Sequence, residues 1–340
     1  MSANDAAPRS CASCGVSACG MHQRHGREGD ATAGRTDWLL DDVWPEYASY
    51  VAASVGPEDR IIAPGLFGRP LPARYRWGGN ARHVATIATG RRHWTMRRVR
   101  DAAGHVRQRA YLERDRQLAL ALAKAIDYRA RHLVIAQAWL PWLAEAGVLG
   151  GRSYDVLMSR YPFADIHRLL DRAAKELGDA ADTTISDFRA PEALVQREME
   201  ALANARRIIT PHHGIAALFP LQALTLAWHR PQAGSRTAGL RTAFLGPALS
   251  RQRPDIALRH AAGLDQPLIL FGPSARGFEA VAVERRDFSR QWLDDIGTII
   301  HPATMTAQPR RLLAALAHGV QIRATAECGL DPGDYVPLNP

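Results

Sequence analysis

His132-Leu-Val-Ile-Ala-Gln137 and Tyr154-Asp-Val-Leu-Met-Ser159 are the two runs on which the fold turns. Both are too short for a free-standing helix, and their Leu, Val and Ile content suits strands buried inside a sheet. A helical stretch at 140–146 lies between them, and a longer one at 163–177 follows. Strand, helix, strand, helix is the pattern of a mostly parallel sheet with helices on both faces.

The same alternation extends in both directions. Upstream, Trp38, Leu39, Leu40, Val43, Tyr47, Tyr50 and Val51 recur at helical spacing behind Asp37 as a cap, which predicts a helix over 37–51. Strands are expected at 60–64 and 83–89, with a helix at 106–131. Downstream come helices at 191–205 and 214–219 and strands at 207–210 and 221–228. A new series follows, with strands at 242–245, 267–271, 298–302 and 320–325 and helices at 255–262, 289–294 and 309–318. Arg230-Pro-Gln-Ala-Gly-Ser235 between the two series reads as a linker. A chain of 340 residues exceeds one ordinary hydrophobic core. The expected fold is therefore α/β, with two doubly wound, Rossmann-like domains facing a cleft: a tail and linker at 1–36, a first domain at 37–232 and a second at 233–340.

The composition, 46% hydrophobic and 23% charged, is that of a globular protein and excludes a disordered or collagen-like chain. The most apolar window, 132–149, is interrupted by Gln137, Pro141 and Glu145, so no membrane span is expected. Residues 1–27 hold no apolar run, which excludes a secretory signal there and makes a cytoplasmic location the expectation. The formal charge is +9, and the only lysines are Lys124 and Lys175. Arginine in place of lysine fits phosphate-bearing partners, but a GC-rich coding bias is the preferred reading, since the arginines are spread along the chain. Because the arginines form no single basic arm, nucleic acid is not the expected partner.

Three of the four cysteines fall in Cys11-Ala-Ser-Cys14-Gly-Val-Ser-Ala-Cys19-Gly-Met-His22. Two thiolates separated by two residues can hold one tetrahedral metal, and Cys19 with His22 completes a Cys3His set. Zinc is the first choice, an iron-sulfur cluster the second, and free thiols or one redox disulfide the third.

Several segments taken in order resemble the GT-B glycosyltransferases, in particular the family-4-like, nucleotide-sugar-dependent group. The stretch Glu200-Ala-Leu-Ala-Asn-Ala205-Arg-Arg-Ile-Ile-Thr210-Pro211 resembles that family's end-of-domain helix, strand and hinge. Phe244-Leu245-Gly246-Pro247 through Arg253 resembles the first strand and loop of its donor domain, and Leu268-Ile-Leu-Phe271-Gly272 the strand and glycine that follow. Residues 312–325 resemble its helix-glycine-strand signature, and Cys328-Gly329-Leu330 its terminal glycine loop. The family's Glu-x7-Glu pair is absent, since Thr306 and Ala314 stand at those positions. The resemblance implies transfer of a sugar from a nucleotide-diphosphate donor to an acceptor that the sequence does not name. The alternative is a catalytically altered scaffold that binds a partner through the Cys/His knuckle.

Donor phosphates need cations or helix-end N–H groups. Arg251 and Arg253 after Gly246, Arg310 behind Pro309 at a helix start, and the Gly272 loop are the candidates, alongside the plain reading of surface arginines. Asp187, oriented by Arg189, is a candidate base for an acceptor hydroxyl, or else a local ion pair or helix cap. His212 and His213 follow a strand end and are candidates for contact with a phosphate or acceptor, or for packing at a hinge.

Overall fold

The computed structural model describes residues 35–232, 239–272, 277–289 and 291–338. The knuckle residues Cys11, Cys14, Cys19 and His22 and most of the linker lie outside the described residues.

The first sheet has seven strands. In chain order the elements are β1 (Thr36–Leu39), α1 (Pro45–Ser54), β2 (Arg60–Pro64), β3 (Arg82–Val84), α2 (Thr86–Arg98), α3 (Gly104–Ala123), β4 (His132–Ala136), α4 (Leu140–Glu145), β5 (Ser153–Leu157), α5 (Phe163–Leu177), α6 (Glu192–Ala203), β6 (Arg207–Thr210), α7 (His213–Ala216) and β7 (Ala223–Thr225). The strand order is β3-β2-β1-β4-β5-β6-β7, and pairing from β3 to β6 is parallel throughout. The second sheet has six strands: β8 (Arg241–Phe244), β9 (Leu268–Phe271), β10 (Val283–Arg286), β11 (Ile296–His301), β12 (Gln321–Ala324) and β13 (Val336–Pro337), with α8 (Pro254–Ala261) and α9 (Arg310–Ala317). Its order, β10-β9-β8-β11-β12-β13, is also parallel. Each sheet reverses direction once, between β1 and β4 and between β8 and β11. These are the places where parallel sheets open toward a ligand at the carboxyl ends of their strands.

Two compact units result. One comprises 35–158, 190–209 and 221–224, and the other 159–189, 210–220 and the described residues from 225 onward. The last strand of the first sheet ends at Thr225 and the first of the second begins at Arg241, while α5 and α7 belong to the second unit.

Four sequence expectations are corrected. The helix expected at 37–51 is instead β1 followed by α1, because Trp38, Leu39 and Leu40 are all buried in succession, as a central strand requires and one helix face cannot. Asp37 is not a cap: its buried carboxylate takes the guanidinium of Arg60 on the neighbouring strand. The strand at 83–89 stops at Val84, where Ala85 turns with φ 62° into α2. No helix forms at 289–294 among the described residues; residues 291–295 turn directly into β11, and Asp295 at the end of that turn takes Arg286 of β10.

The second unit's core lies on the two faces of its sheet. Ile269, Ile299, Leu312 and Ile322 pack on one side, and Phe244, Leu270, Ala257 and Phe278 on the other. Burial of this kind contributes about 25 cal/mol per Å² of apolar surface, which holds the strand ends, and so the site, in place.

Candidate functional site

At the reversal of the second sheet, the loops after β8 and β9 lie directly against each other. A Cβ on Gly246 would stand 2.5 Å from the carbonyl oxygen of Phe271. Gly272, at φ 113°, faces Pro247 with room for a Cβ only at 3.1 Å. Both glycines expected at a donor site are thus required by the loop geometry, whatever else they meet.

Beside these loops is a cavity of about 320 Å³ over the carboxyl ends of β11 and β12, at the lower end of ligand-sized pockets. Leu169 of α5, Arg253, Thr304, Thr325, Glu327 and Tyr335 contribute to its wall. Arg172 and Glu327 form an ion pair of 2.8 Å at this wall. Thr304 is 6% exposed, its backbone N–H donates to the Arg251 carbonyl, and its buried Oγ1 has no hydrogen-bond partner within the protein. A buried hydroxyl without a partner is costly to the fold.

The expected site residues divide by what they already bond. Arg251 and Asp187 come together, with Nε 3.9 Å from Oδ2, and the guanidinium lies 5.3 Å from the Phe188 ring centre. Arg189 does not orient Asp187; it pairs with Asp171 at 2.6 Å. Nor does Asp187 cap α6, whose N-terminal position is Pro191 without a side-chain cap. Arg253 is 6% exposed and its guanidinium is shared between Asp255 and Glu176. It serves the fold by tying the start of α8 to α5. Arg310 lies 5.3 Å from the ring centre of Trp228, whose indole N–H donates to the Gly329 carbonyl at 2.9 Å.

The two histidines have different surroundings. His212 is 1% exposed, its Nδ1 accepts the N–H of Ile215 at the start of α7, and its Nε2 lies 2.8 Å from the Thr306 carbonyl. A carbonyl can only accept, so Nε2 carries the proton and both ring nitrogens are committed. Burial pushes its pKa down to about 4, which keeps the ring neutral near pH 7. Its ring stands edge-on to Tyr161. His212 is therefore a cross-link, not a proton shuttle. His213 is about one-third exposed and its Nε2 lies 3.5 Å from Asp331 Oδ2.

The first unit holds a charged cluster that the sequence reading did not find. Asp41 and Asp42 follow β1 at that sheet's own reversal, where an expected helix concealed them. Buried Arg92 of α2 donates to Asp115 at 2.7 Å and to the Tyr75 hydroxyl at 2.5 Å, and stands 3.7 Å from Asp41. Asp115 and Asp41 outweigh the cost of burial and hold Arg92 charged. Asp42 lies 3.3 Å from Arg74. Burial, and then the neighbouring Asp41 charge, raise the Asp42 carboxyl to about 6. A carboxylate that titrates near neutrality at a strand's carboxyl end has the properties of a general base. The legible signal was the Asp-Asp pair directly after an apolar run.

Among the described residues no group of three or more His, Cys, Asp and Glu is placed to hold a metal ion, and no helix is long and apolar enough to cross a membrane.

No protein-family model and no curated protein matches the sequence. Among solved structures, the lipopolysaccharide outer core galactosyltransferase WaaB in its apo form is 8% identical, with 90% of this chain and 84% of that chain covered at a TM-score of 0.48. An α,α-trehalose-phosphate synthase (UDP-forming) from Burkholderia vietnamiensis is 10% identical, with 90% and 88% covered at 0.47. WaaG, a glycosyltransferase involved in lipopolysaccharide biosynthesis, is 15% identical, with 86% and 82% covered at 0.43. The roles of individual residues rest on the geometry of this chain.

Proposed function

We propose that the protein is a GT-B-type glycosyltransferase that moves a sugar from a nucleoside-diphosphate donor to a hydroxyl acceptor. The observation that carries this reading is the cavity over the carboxyl ends of β11 and β12, beside the reversal of a sheet ordered β10-β9-β8-β11-β12-β13, with Thr304, Thr325, Arg172 and Glu327 among its lining residues. Nucleotides favour such a place because loop N–H groups and helix starts there face anionic oxygens. Donor phosphates are assigned to the loop of Arg251 and to Arg310 at the start of α9; Arg253, between Asp255 and Glu176, holds the start of α8. Asp187, paired with Arg251, positions that arginine. His213 beside Asp331 is a candidate for acceptor contact.

The test is calorimetric titration with UDP, GDP, ADP and their glucose conjugates, followed by assay for release of the nucleoside diphosphate. Micromolar to low-millimolar binding of one diphosphate, weakened about tenfold in Arg251→Ala, supports the reading. No heat with any diphosphate at millimolar concentration, in protein of unchanged melting temperature, overturns it and favours a partner-binding scaffold.

A further inference from the structure

Residues 61–100 contain nine arginines and no aspartate or glutamate. Two of the arginines are used inward, Arg92 against Asp115 and Arg74 against Asp42. Within this acid-free stretch β2, Tyr75 and Trp77 are buried, while Arg69, Arg76, Arg82, Arg91, Arg97, Arg98 and Arg100 are exposed, several of them along β3, the edge strand of the sheet, and α2.

α2 presents two unlike faces. Thr89 and Arg92 are buried, and the helix packs on α3. On the other side, Ile87, Arg91, Trp94 and Arg98 follow at spacings of four, three and four residues, which places all four within roughly 60° of arc. All four are exposed, Ile87 by 71% and Trp94 by 66%. Phe67, 85% exposed, stands beside the first turn of this helix, because its N–H donates to Thr86 Oγ1 at 3.1 Å. Phe67 also has φ 51°, a conformation that disfavours bulky side chains and is tolerated here to carry an aromatic ring outward.

Apolar side chains and arginines that alternate along one exposed stripe match a bilayer interface. Aromatic and aliphatic groups enter the boundary between headgroups and acyl chains there, and guanidinium groups meet lipid phosphate. A nucleic-acid surface would use the arginines and the Trp94 and Phe67 rings but would leave Ile87, 71% exposed, with nothing apolar to cover it. We propose that this face of the first unit binds the surface of an anionic phospholipid membrane. α2 then lies in the headgroup plane, with Ile87, Trp94 and Phe67 inserted and Arg91 and Arg98 on phosphates. This does not depend on the glycosyl-transfer reading.

The experiment is co-sedimentation of the full chain with vesicles of phosphatidylcholine alone or mixed with phosphatidylglycerol at about seven to three. Binding is expected to the anionic vesicles only, and to fall more than about tenfold from 0.1 to 0.5 M salt. Arg91→Ala/Arg98→Ala should weaken it roughly 30-fold, at about fivefold per arginine. Ile87→Ser/Trp94→Ser should weaken it at least about tenfold. Brominated lipid should quench tryptophan fluorescence in the natural protein and less so in Trp94→Phe, a readout that needs no disruptive variant. Protein left in the supernatant, or binding that Ile87→Ser/Trp94→Ser leaves unchanged, overturns the proposal. Capture of a duplex oligonucleotide that the same substitutions abolish, with vesicles ignored, assigns the surface to nucleic acid instead.

Discussion

His212 donates from Nε2 to the carbonyl oxygen of Thr306 at 2.8 Å while its Nδ1 accepts the N–H of Ile215, so one buried ring joins the segment after β6 to the loop before α9. The ring is held neutral, with a pKa of about 4 against an ordinary 6.5. The unfolded chain takes up a proton below about pH 6.5 that the native ring resists, so stability is full above that pH and falls as the pH drops toward 4. The loss at pH 4 is on the order of 3 kcal/mol. Melting curves from pH 4 to 8 should show a shallower acid limb in His212→Asn than in the natural protein; equal limbs would remove this role.

Gly329 lies against the same ring. A Cβ there would stand 2.3 Å from the His212 ring, and φ is 80°. Gly329→Ala therefore meets both strain and a clash, and should lose at least about 2 kcal/mol of stability in urea titrations. Gly263→Ala, which meets nothing within 4 Å, is the control expected to change little.

Arg92 is a buried cation whose charge is balanced by Asp115 and Asp41. Arg92→Met leaves those carboxylates uncompensated and should cost about 3–5 kcal/mol. Arg92→Met/Asp115→Leu removes that ion pair but leaves Asp41 uncompensated, so it should recover only part of the loss, as measured by a double-mutant cycle in denaturant.

Thr304 gives opposite signs for folding and binding. Thr304→Val removes a buried hydroxyl that has no partner, so the free protein should gain about 1 kcal/mol. If the cavity receives a donor, the same change should weaken nucleoside-diphosphate affinity about five- to tenfold. A stabilised variant with unchanged affinity would remove Thr304 from the site.

Strands and helices came out of the sequence where the local pattern was decisive. β2, α5 and β6 have the bounds that their apolar runs and breakers imply: Arg60–Pro64, Phe163–Leu177 and Arg207–Thr210. β1 was misread because Trp38, Leu39 and Leu40, together with Val43, Tyr47 and Val51, fit a helical spacing as well as they fit a strand and the helix after it. Only burial between β2 and β4 separates the two. β10 has no apolar pattern, and its strand state comes from pairing with β9 and from the ion pairs of Glu284 and Arg286.

For the site, residue type was legible and availability was not. Arg253 and His212 are suited by type to phosphate and proton chemistry, but Glu176 lies in α5 and Thr306 lies in the loop before α9, so only the folded chain shows that both are already engaged. Asp42 passed unnoticed because its raised pKa comes from burial and from Asp41, and burial is not a local property.

The sequence by itself determined the alternation of strands and helices and the glycines that let loops approach each other, because each depends on residue type and near neighbours. The tertiary structure alone decided the strand orders, the cavity beside the second reversal and which polar groups keep a free valence, because hydrogen bonding and desolvation depend on partners brought together from distant parts of the chain.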